Sequence, residues 1–280
     1  MHEQSFSEKD PFSPINYTYK VSKVLYSGKS KFQDMLVFES PDFGRVLALD
    51  GVVQLTERDE FFYHEMLAQV AMHAHADPRK VLIIGGGDGG TLREVLKHKS
   101  VEKAQLIELD MQVVEISKTY LPGLASAFSD PRANVAEMDG SKFVKETGEK
   151  FDIVIVDSTD PVDAAKVLFS DEFFADVHSM LNKDGMLVMQ TESLHFHRRF
   201  VIDVQQRLGK IFKTVKLYTV PLSTYAGNWW TFSIASKKHD PASPVRQHEV
   251  ETKYYDQQVH ENAFLPASLY DKLLGGELDW

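Results

Sequence analysis

The sequence contains no cysteine among its 280 residues. Disulfides, cysteine-ligated metals and thiolate nucleophiles are therefore excluded. It also lacks any apolar run that approaches the ~20 residues of a membrane-spanning helix. The first ten residues are polar and have no apolar segment of the kind found in a secretion signal. We therefore expect a cytoplasmic protein that has no contact with a membrane.

Basic residues are outnumbered by acidic ones, with 31 Lys and Arg against 41 Asp and Glu and a net charge of −10. A nucleic-acid-binding protein needs a basic surface to neutralise phosphates, so no nucleic-acid partner is expected. An acidic chain is compatible with a cationic ligand. The length and the 43% content of hydrophobic residues predict a globular protein with one large domain, with or without a smaller appendage.

Short extended segments occupy residues 17–54, and turn-forming pairs such as Asp50-Gly51 separate them. They predict a small antiparallel β unit, whereas residues 1–16 have the composition of a loose arm. Exposed hairpin edges often pair with another chain. We therefore predict an N-terminal β-strand domain over residues 1–55, which contributes to a nucleotide site and to a homodimer or homotetramer. Residues 56–280 are predicted to form a Rossmann-like catalytic domain whose first helix starts near Thr56.

A glycine-rich turn follows the branched apolar run Val81–Ile84, which is typical of a strand buried on both faces. Gly85, Gly87 and Gly90 have the spacing G-x-G-x-x-G. In this pattern the first glycine permits a tight turn, the second lets a ligand approach the backbone, and the third lets the helix pack against the strand. The turn alone is also explained as a simple loop, so other residues are needed to distinguish a nucleotide-binding site from a loop.

Strands and helices alternate regularly after this turn, which predicts an open parallel α/β sheet. The last two predicted strands, residues 214–220 and 230–236, have no helix between them and should form an antiparallel edge hairpin. The predicted fold class is α/β: a methyltransferase-like Rossmann parallel sheet with an antiparallel edge hairpin, preceded by the small N-terminal antiparallel β domain.

Four acidic residues follow successive predicted strands: Asp88, Glu108, Asp139 and Asp157. Each of them alone is explained equally well as a helix cap. Together they predict a ligand site, because ligands of open α/β sheets bind at the carboxyl ends of the strands. Glu108 lies 21 residues beyond Gly87, near the distance expected for an acid that binds ribose hydroxyls. Asp88 would repel a pyrophosphate, so an adenosyl group with a cationic substituent fits better than NAD or ATP.

A second acidic cluster comprises Asp157 and Asp160, which are predicted to form a pocket for ammonium groups together with Asp88. Carboxylates gathered in one buried place need cations or protons for stability. Tyr63 and Tyr225 offer aromatic faces for methylene groups or a sulfonium. Trp229 and Trp230 are better explained by core packing.

Taken together, these motifs resemble the polyamine aminopropyltransferase family, and within it the spermidine synthases. The likeness extends from about Tyr17 to Leu274. The matching residues are Gln33, Glu57-Arg58-Asp59-Glu60, Tyr63-His64-Glu65, the turn from Gly85 to Gly90, Glu108, Asp139-Gly140, Asp157-Ser158-Thr159-Asp160-Pro161, Lys253-Tyr254-Tyr255 and Ala263-Phe264-Leu265-Pro266.

The resemblance implies transfer of an aminopropyl group from decarboxylated S-adenosylmethionine, a co-substrate, to putrescine, with spermidine and methylthioadenosine as products. It implies no cofactor and no metal. Asp157 is implied to be the base. The implied donor or methylthioadenosine contacts are Gln33, Asp88, Glu108, Asp139 and Gly140. The implied polyamine contacts are Tyr63, His64, Asp88, Asp157, Ser158, Thr159, Asp160 and Tyr225.

The chain departs from the family pattern at two places. Asp163-Ala164-Ala165 stands where the family usually has Gly-Pro-Ala, and no Trp occurs near the N-terminus. Both departures leave another acceptor amine open, namely cadaverine, agmatine or spermidine. A methyltransferase of the same fold is also compatible with the glycine turn, but the acid at Asp88 disfavours it. A non-catalytic adenosyl-binding protein is disfavoured by Asp157 and Asp160.

Overall fold

The structure is a computed structural model and describes residues 4–9, 14–159 and 163–278. The strands are β1 (Gln4–Lys9), β2 (Asn16–Val21), β3 (Lys23–Lys29), β4 (Asp34–Ser40), β5 (Gly44–Leu49), β6 (Val52–Thr56), β7 (Lys80–Gly85), β8 (Lys103–Glu108), β9 (Ala133–Glu137), β10 (Phe151–Asp157), β11 (Leu181–Ser193), β12 (Thr214–Pro221) and β13 (Trp229–Ser236).

The α-helices are α1 (Glu60–Ala74), α2 (Gly90–Leu96), α3 (Met111–Tyr120), α4 (Pro122–Ala125), α5 (Gly140–Glu146), α6 (Asp171–Met180), α7 (Arg198–Leu208), α8 (Gln257–Ala263) and α9 (Ala267–Leu274). Two 3₁₀ helices span Ser126–Ser129 and Asp163–Phe169. Of the helices in these described ranges, none has the length and apolarity that crossing a membrane requires.

The main sheet has seven strands in the order β12-β13-β11-β10-β7-β8-β9. Strands β7 to β11 run parallel, and β13 is antiparallel to both β11 and β12. This confirms the predicted methyltransferase-like Rossmann sheet with its antiparallel edge hairpin. Each parallel connection contains a helix, as a crossover between parallel strands requires.

The central strand β7 is buried on both faces, as its apolar run predicted. Val81 and Ile83 belong to the apolar cluster that contains α1 and α2, whereas Leu82 and Ile84 belong to the cluster that contains α6 and α7. Successive side chains of a strand point to opposite faces, so one four-residue run supplies both helix layers.

The N-terminal part forms two antiparallel sheets, β1-β2 and β3-β4-β5-β6. The loose arm predicted for residues 1–16 is wrong for residues 4–9, because β1 pairs with β2 along its whole length. Phe6 explains the pairing, since its ring packs 5.3 Å from that of Phe38 and 6.3 Å from that of Tyr19. A short polar strand with one anchoring aromatic residue has little apolar periodicity, so the sequence signal was weak.

Helix α1 begins four residues later than predicted. Thr56 is the last residue of β6, where it pairs with Val46, and Asp59 precedes the first helical residue, Glu60. The helix is buried along almost its whole length because the sheet, α2 and the C-terminal segment around residues 252–256 surround it. Its polar side chains therefore need partners inside the protein.

The C-terminal segment is attached to α1 by Glu65, which is 1% exposed. The Glu65 carboxylate accepts hydrogen bonds from the backbone N–H groups of Lys253, Tyr254 and Tyr255 at 2.7, 2.8 and 2.9 Å. We expect Glu65→Gln to lower the free energy of unfolding by about 1.5–3 kcal/mol, because hydrogen bonds to a buried charge are lost. Urea denaturation measures this change. The exposed Glu251→Gln in the same segment is the control, and an equally small effect of both variants would contradict the prediction.

Candidate active site

A cavity of about 310 Å³ lies at the carboxyl ends of the parallel strands, between the main sheet and the N-terminal β4–β6 region. It brings together all the predicted site residues that the structure describes. These are Gln33, Tyr63, His64, Asp88, Glu108, Asp139, Gly140, Asp157, Ser158, Thr159 and Tyr225. Asp160, the remaining predicted site residue, lies outside the described residues.

The glycine turn holds the ends of β7 and β10 together. Gly85 has a φ of +81°, and a Cβ atom there would lie 2.1 Å from the carbonyl oxygen of Asp157. The next N–H, that of Gly86, donates to the same oxygen at 2.8 Å. Only a residue without a Cβ atom allows this approach at a positive φ. The turn thereby fixes the backbone from which the Asp157 side chain projects.

The other two glycines of the motif make room for side chains as well as for a ligand. A Cβ atom on Gly87 would lie 2.9 Å from Oε2 of Glu108, and one on Gly90 would lie 2.4 Å from the His64 ring. The third glycine therefore has a second role besides the predicted close packing of its helix on the strand. Gly90 also admits the imidazole of α1 to the cavity wall.

Both carboxylate oxygens of Asp157 have hydrogen-bond donors. The Tyr63 hydroxyl donates to Oδ1 at 2.8 Å and the Thr91 hydroxyl donates to Oδ2 at 2.6 Å. Burial raises the pKa of Asp157, and the nearby charge of Asp88 raises it further, whereas the hydrogen bonds oppose this. Sequence reasoning missed Thr91, although its place one residue after the glycine motif puts it at the carboxyl edge.

His64 forms the centre of a chain of charged groups. Its Nδ1 lies 2.7 Å from Oε2 of Glu60, and its Nε2 lies 3.3 Å from Oδ1 of Asp88. Arg93 of α2 donates to Glu60 at 2.9 and 3.1 Å. Burial opposes the charged form of His64, but the carboxylates of Asp88 and Glu60 outweigh burial and raise the pKa of His64 well above its usual value. His64 is therefore an imidazolium at neutral pH.

The pKa values of Asp88 and Asp157 are shifted in opposite directions. Burial acts against the charged form of Asp88, but the His64 imidazolium and the N–H of Gly90 lower its pKa, whereas the pKa of Asp157 is raised. Neighbouring acids with pKa values shifted apart are a common arrangement in catalysis, in which one stays ionised and the other exchanges a proton. This arrangement suits an ammonium group near Asp88 and a proton acceptor at Asp157.

His64, Asp88 and Asp157 each offer a ligand atom within 4.8 Å of one another, so a metal ion has to be considered. Both ring nitrogens of His64 already face carboxylates. A protonated imidazole has no lone pair for a metal. The imidazolium therefore leaves only Asp88 and Asp157 of this group as ligands for a metal ion.

The opposite end of the cavity has a different chemistry. Glu108 accepts a hydrogen bond from the backbone N–H of Asp110 at 2.9 Å, and burial raises the pKa of Glu108 to about 7. Gln33 reaches this end from the N-terminal β region and donates to Oδ2 of Asp110 at 2.9 Å. Asp110 also lines the cavity and was missed, because it has the ordinary role of N-cap of α3.

Asp139 is both a helix cap and a residue of the cavity, the two explanations that the sequence left open. Its Oδ1 accepts hydrogen bonds from the backbone N–H groups of Ser141 and Lys142 at 2.8 and 3.1 Å, so it is the N-cap of α5. It also lines the cavity next to Gly140. A cap residue at the carboxyl edge of a parallel sheet is already aimed at the ligand crevice.

A second cavity of about 60 Å³ adjoins the first. Gln54, Tyr63, Ser158, Thr159 and Tyr225 line both cavities. The smaller one adds two acids and other side chains that sequence reasoning did not assign to the site. These are Glu8, Gln190, Glu192, His197 and Trp230, the last of which also belongs to the apolar core as expected.

The two acids of the smaller cavity come from distant parts of the chain. Glu8 lies on β1 and accepts a hydrogen bond from the N–H of Val53 at 3.1 Å. Glu192 lies at an irregularity of β11 with a φ of +67°, a conformation that is rare outside glycine and is often found at functional sites. Neither had a motif to identify it, since their proximity depends on the fold.

Comparison with known families identifies both parts of the chain. Residues 60–245 match the model of the spermine/spermidine synthase domain, and residues 4–57 match the spermidine synthase tetramerisation domain. The chain belongs to the spermine/spermidine synthase family. The predicted membership of the polyamine aminopropyltransferases is therefore confirmed, and with it the predicted enzyme class, a transferase of alkyl groups other than methyl.

Individual members of the spermine/spermidine synthase family are similar over nearly the full length. Polyamine aminopropyltransferase 1 of Aquifex aeolicus is 56% identical, covering 99% of both chains. Spermidine synthase of Thermotoga maritima is 39% identical with a TM-score of 0.90, covering 98% of this chain and 95% of that one. A spermidine synthase in complex with the transition-state analogue AdoDATO is 40% identical with a TM-score of 0.93, covering 98% and 96%.

Proposed function

We propose that the protein is a spermidine synthase, which transfers the aminopropyl group of decarboxylated S-adenosylmethionine to putrescine and releases spermidine and methylthioadenosine. The observation that carries this proposal is the order of anionic groups along the connected cavities. Glu108 and Asp139 lie at one end, Asp88 and Asp157 lie in the middle, and further acids line the smaller cavity. A cationic donor and a diamine need negative charge at these separate places.

The donor is proposed to bind with its methylthioadenosine part between Gln33, Glu108, Asp139 and Gly140. Asp88 then receives the ammonium group of the aminopropyl chain. A carboxylate in the glycine turn is otherwise unfavourable next to a nucleotide. S-Adenosylmethionine, the usual methyl donor, carries a carboxylate beside its amine that Asp88 would repel, whereas the decarboxylated donor presents the ammonium group alone. This supports aminopropyl transfer over methyl transfer.

The acceptor is proposed to bind with its reacting amine at Asp157. A primary amine has a pKa near ~10.4 and is protonated at neutral pH, so it must lose a proton before it attacks. Asp157 accepts this proton while Tyr63 and Thr91 hold its two oxygens. The amine nitrogen then forms a bond to the propyl carbon as the bond from that carbon to sulfur breaks, and the sulfur keeps the electron pair. Positioning of the two reactants supplies much of the rate enhancement.

The far end of the acceptor is proposed to lie in the smaller cavity beside Glu8 and Glu192. Its volume of about 60 Å³ has room for one ammonium group and its nearest methylene groups. This favours a short diamine over spermidine, which is a longer chain with a third amine. His64, Ser158, Thr159, Asp160 and Tyr225 remain proposed contacts of the amine.

The decisive test is mass spectrometry of the products formed from decarboxylated S-adenosylmethionine and, in parallel, putrescine, cadaverine, agmatine or spermidine. We expect the highest kcat/KM with putrescine and stoichiometric methylthioadenosine. A higher kcat/KM with another amine would show that this amine, and not putrescine, is the acceptor. Formation of N-methylputrescine from S-adenosylmethionine would show that the enzyme is a methyltransferase. The proposed reaction requires no cofactor, and omission of the donor is the blank.

The pKa of Glu108 predicts that donor binding depends on pH. Ribose hydroxyls donate to a carboxylate, so the ligand binds the ionised form of Glu108, whose pKa in the free protein is about 7. The ionised fraction rises from about one tenth at pH 6 to about nine tenths at pH 8, and methylthioadenosine should bind about tenfold more tightly at pH 8. Calorimetry measures this, with Glu108→Gln as the variant that abolishes the pH dependence. Equal affinities at the two pH values would contradict ribose binding by Glu108.

The oligomeric state is proposed to be a homotetramer, because residues 4–57 match the model of a tetramerisation domain. Light scattering coupled to size-exclusion chromatography measures the mass directly. A monomer would contradict the proposal, and a dimer would restrict the assembly to one type of interface.

A further inference from the structure

Asp59 is a buried acid that the proposed reaction does not use. It directly precedes α1 and is 5% exposed. Its carboxylate makes no capping hydrogen bond to α1, although this is the usual task of an aspartate at that position. It therefore has another function, since a buried carboxylate is strongly destabilising unless hydrogen bonds compensate it.

The partners of Asp59 lie mostly in the loop of residues 222–228, between β12 and β13. The hydroxyl of Ser223 donates to Oδ2 at 2.7 Å, the N–H of Thr224 donates to Oδ2 at 3.1 Å, and the Thr224 hydroxyl lies 2.6 Å from both oxygens. Thr56, at the end of β6, donates to Oδ1 at 2.7 Å. One carboxylate thus connects the last strand of the N-terminal β region, the start of α1 and this loop.

The next residue of the loop is Tyr225, which lines both cavities. Its ring lies 5.9 Å from the ring of Tyr63 and 4.5 Å from that of Trp230, and its hydroxyl donates to the carbonyl oxygen of Gln54. Within the loop, the backbone N–H of Leu222 donates to the carbonyl oxygen of Asn228, and the N–H of Asn228 donates to that of Tyr225, both at 3.1 Å. Ser223 and Thr224 are instead held by Asp59. The contacts of Asp59 therefore fix the part of the loop that directly precedes Tyr225.

We propose that Asp59 is a positioning residue for the acceptor: it holds the loop so that Tyr225 stands at the junction of the two cavities. The diamine passes this junction, since its reacting end is at Asp157 and its far end is beside Glu8 and Glu192. Asp59 itself lines neither cavity. The identity of the acceptor in this inference rests on the proposed function, whereas the attachment of the loop to Asp59 does not.

The test compares Asp59→Asn with Glu65→Gln. Both acids belong to the α1 region, both are buried, and both attach a distant segment to it, but only Asp59 attaches a segment that lines the cavities. We expect Asp59→Asn to raise the KM for putrescine about tenfold, which corresponds to about 1.4 kcal/mol, with kcat within about threefold of the wild type. Binding of methylthioadenosine should stay unchanged. Glu65→Gln should lower stability without changing the KM.

Hydrogen exchange read by mass spectrometry follows the loop independently of turnover. Exchange should become faster in residues 222–228 of Asp59→Asn and in residues 252–256 of Glu65→Gln. The double variant Ser223→Ala/Thr224→Val removes two hydroxyl donors, leaves Asp59 in place and supplies the same readouts if Asp59→Asn does not fold.

Three results would overturn the inference: unchanged exchange in the loop, faster exchange with an unchanged KM for the acceptor, or equal losses in donor and acceptor binding. If the wild type used a different amine, putrescine would be wrong as the proposed acceptor. The kinetic comparison would then be made with that amine, and the exchange result would stand.

Discussion

Asp157→Asn is expected to lower kcat about 10³-fold, the usual contribution of a positioned general base, while methylthioadenosine binding is retained. Asparagine has nearly the shape of aspartate but cannot accept the proton of the attacking ammonium group. The hydroxyls of Tyr63 and Thr91, which donate to the two oxygens of Asp157, can rotate to suit the amide. The folded site therefore survives while the proton acceptor is lost.

Single-turnover kinetics with saturating donor and putrescine measure this effect without interference from product release. Asp152→Asn is the matched control, because Asp152 lies at the other end of β10 and accepts hydrogen bonds from the backbone N–H groups of Arg79 and Lys80. It should cost stability but leave turnover almost unchanged. Near-normal turnover of Asp157→Asn would remove Asp157 from its proposed role.

Asp88→Ala is expected to produce the second largest effect, selective loss of affinity for the donor. A hydrogen-bonded buried charge contributes about 1.5–3 kcal/mol, so decarboxylated S-adenosylmethionine should bind about 10- to 100-fold more weakly. Methylthioadenosine lacks the aminopropyl group and should change much less. The His64 imidazolium, 3.3 Å from Asp88 in the wild type, would then also repel the ammonium group of the donor.

Calorimetry with both ligands provides the measurement. Asp88→Asn is the milder companion, because its side-chain oxygen keeps the hydrogen bond from the N–H of Gly90 and so preserves the turn. Glu108→Gln is the contrasting control, since it alters the end of the cavity that both ligands share and should weaken them similarly. Equal weakening of both ligands by Asp88→Ala would contradict an ammonium site at Asp88.

The sheet and most of the larger cavity followed from local patterns. Branched apolar runs predicted the buried parallel strands, and the acids after them were predicted to share one edge, because parallel strands end on the same side of a sheet. Asp88, Glu108, Asp139 and Asp157 indeed line one cavity. The glycine spacing predicted the tight turn at Gly85, where a side chain would collide with the Asp157 backbone.

Other parts of the site had no local signal. Glu8 lies on a strand that was predicted to be a loose arm, and Glu192 lies at a strand irregularity that periodicity does not indicate. Asp59 occupies the position of an ordinary helix cap, yet most of its hydrogen bonds go to residues more than 160 positions away. Such contacts depend on the packing of distant segments.

The amino-acid sequence specified the order of strands, the glycine turn and the acids at the strand ends, because periodicity and spacing act over a few residues. Only the tertiary structure decided how those acids are charged, since burial, His64 and Glu60 shift their pKa values. It also decided what closes the smaller cavity. Side chains from β1, β11 and the β12–β13 loop meet there only after the N-terminal sheets have packed against the Rossmann sheet.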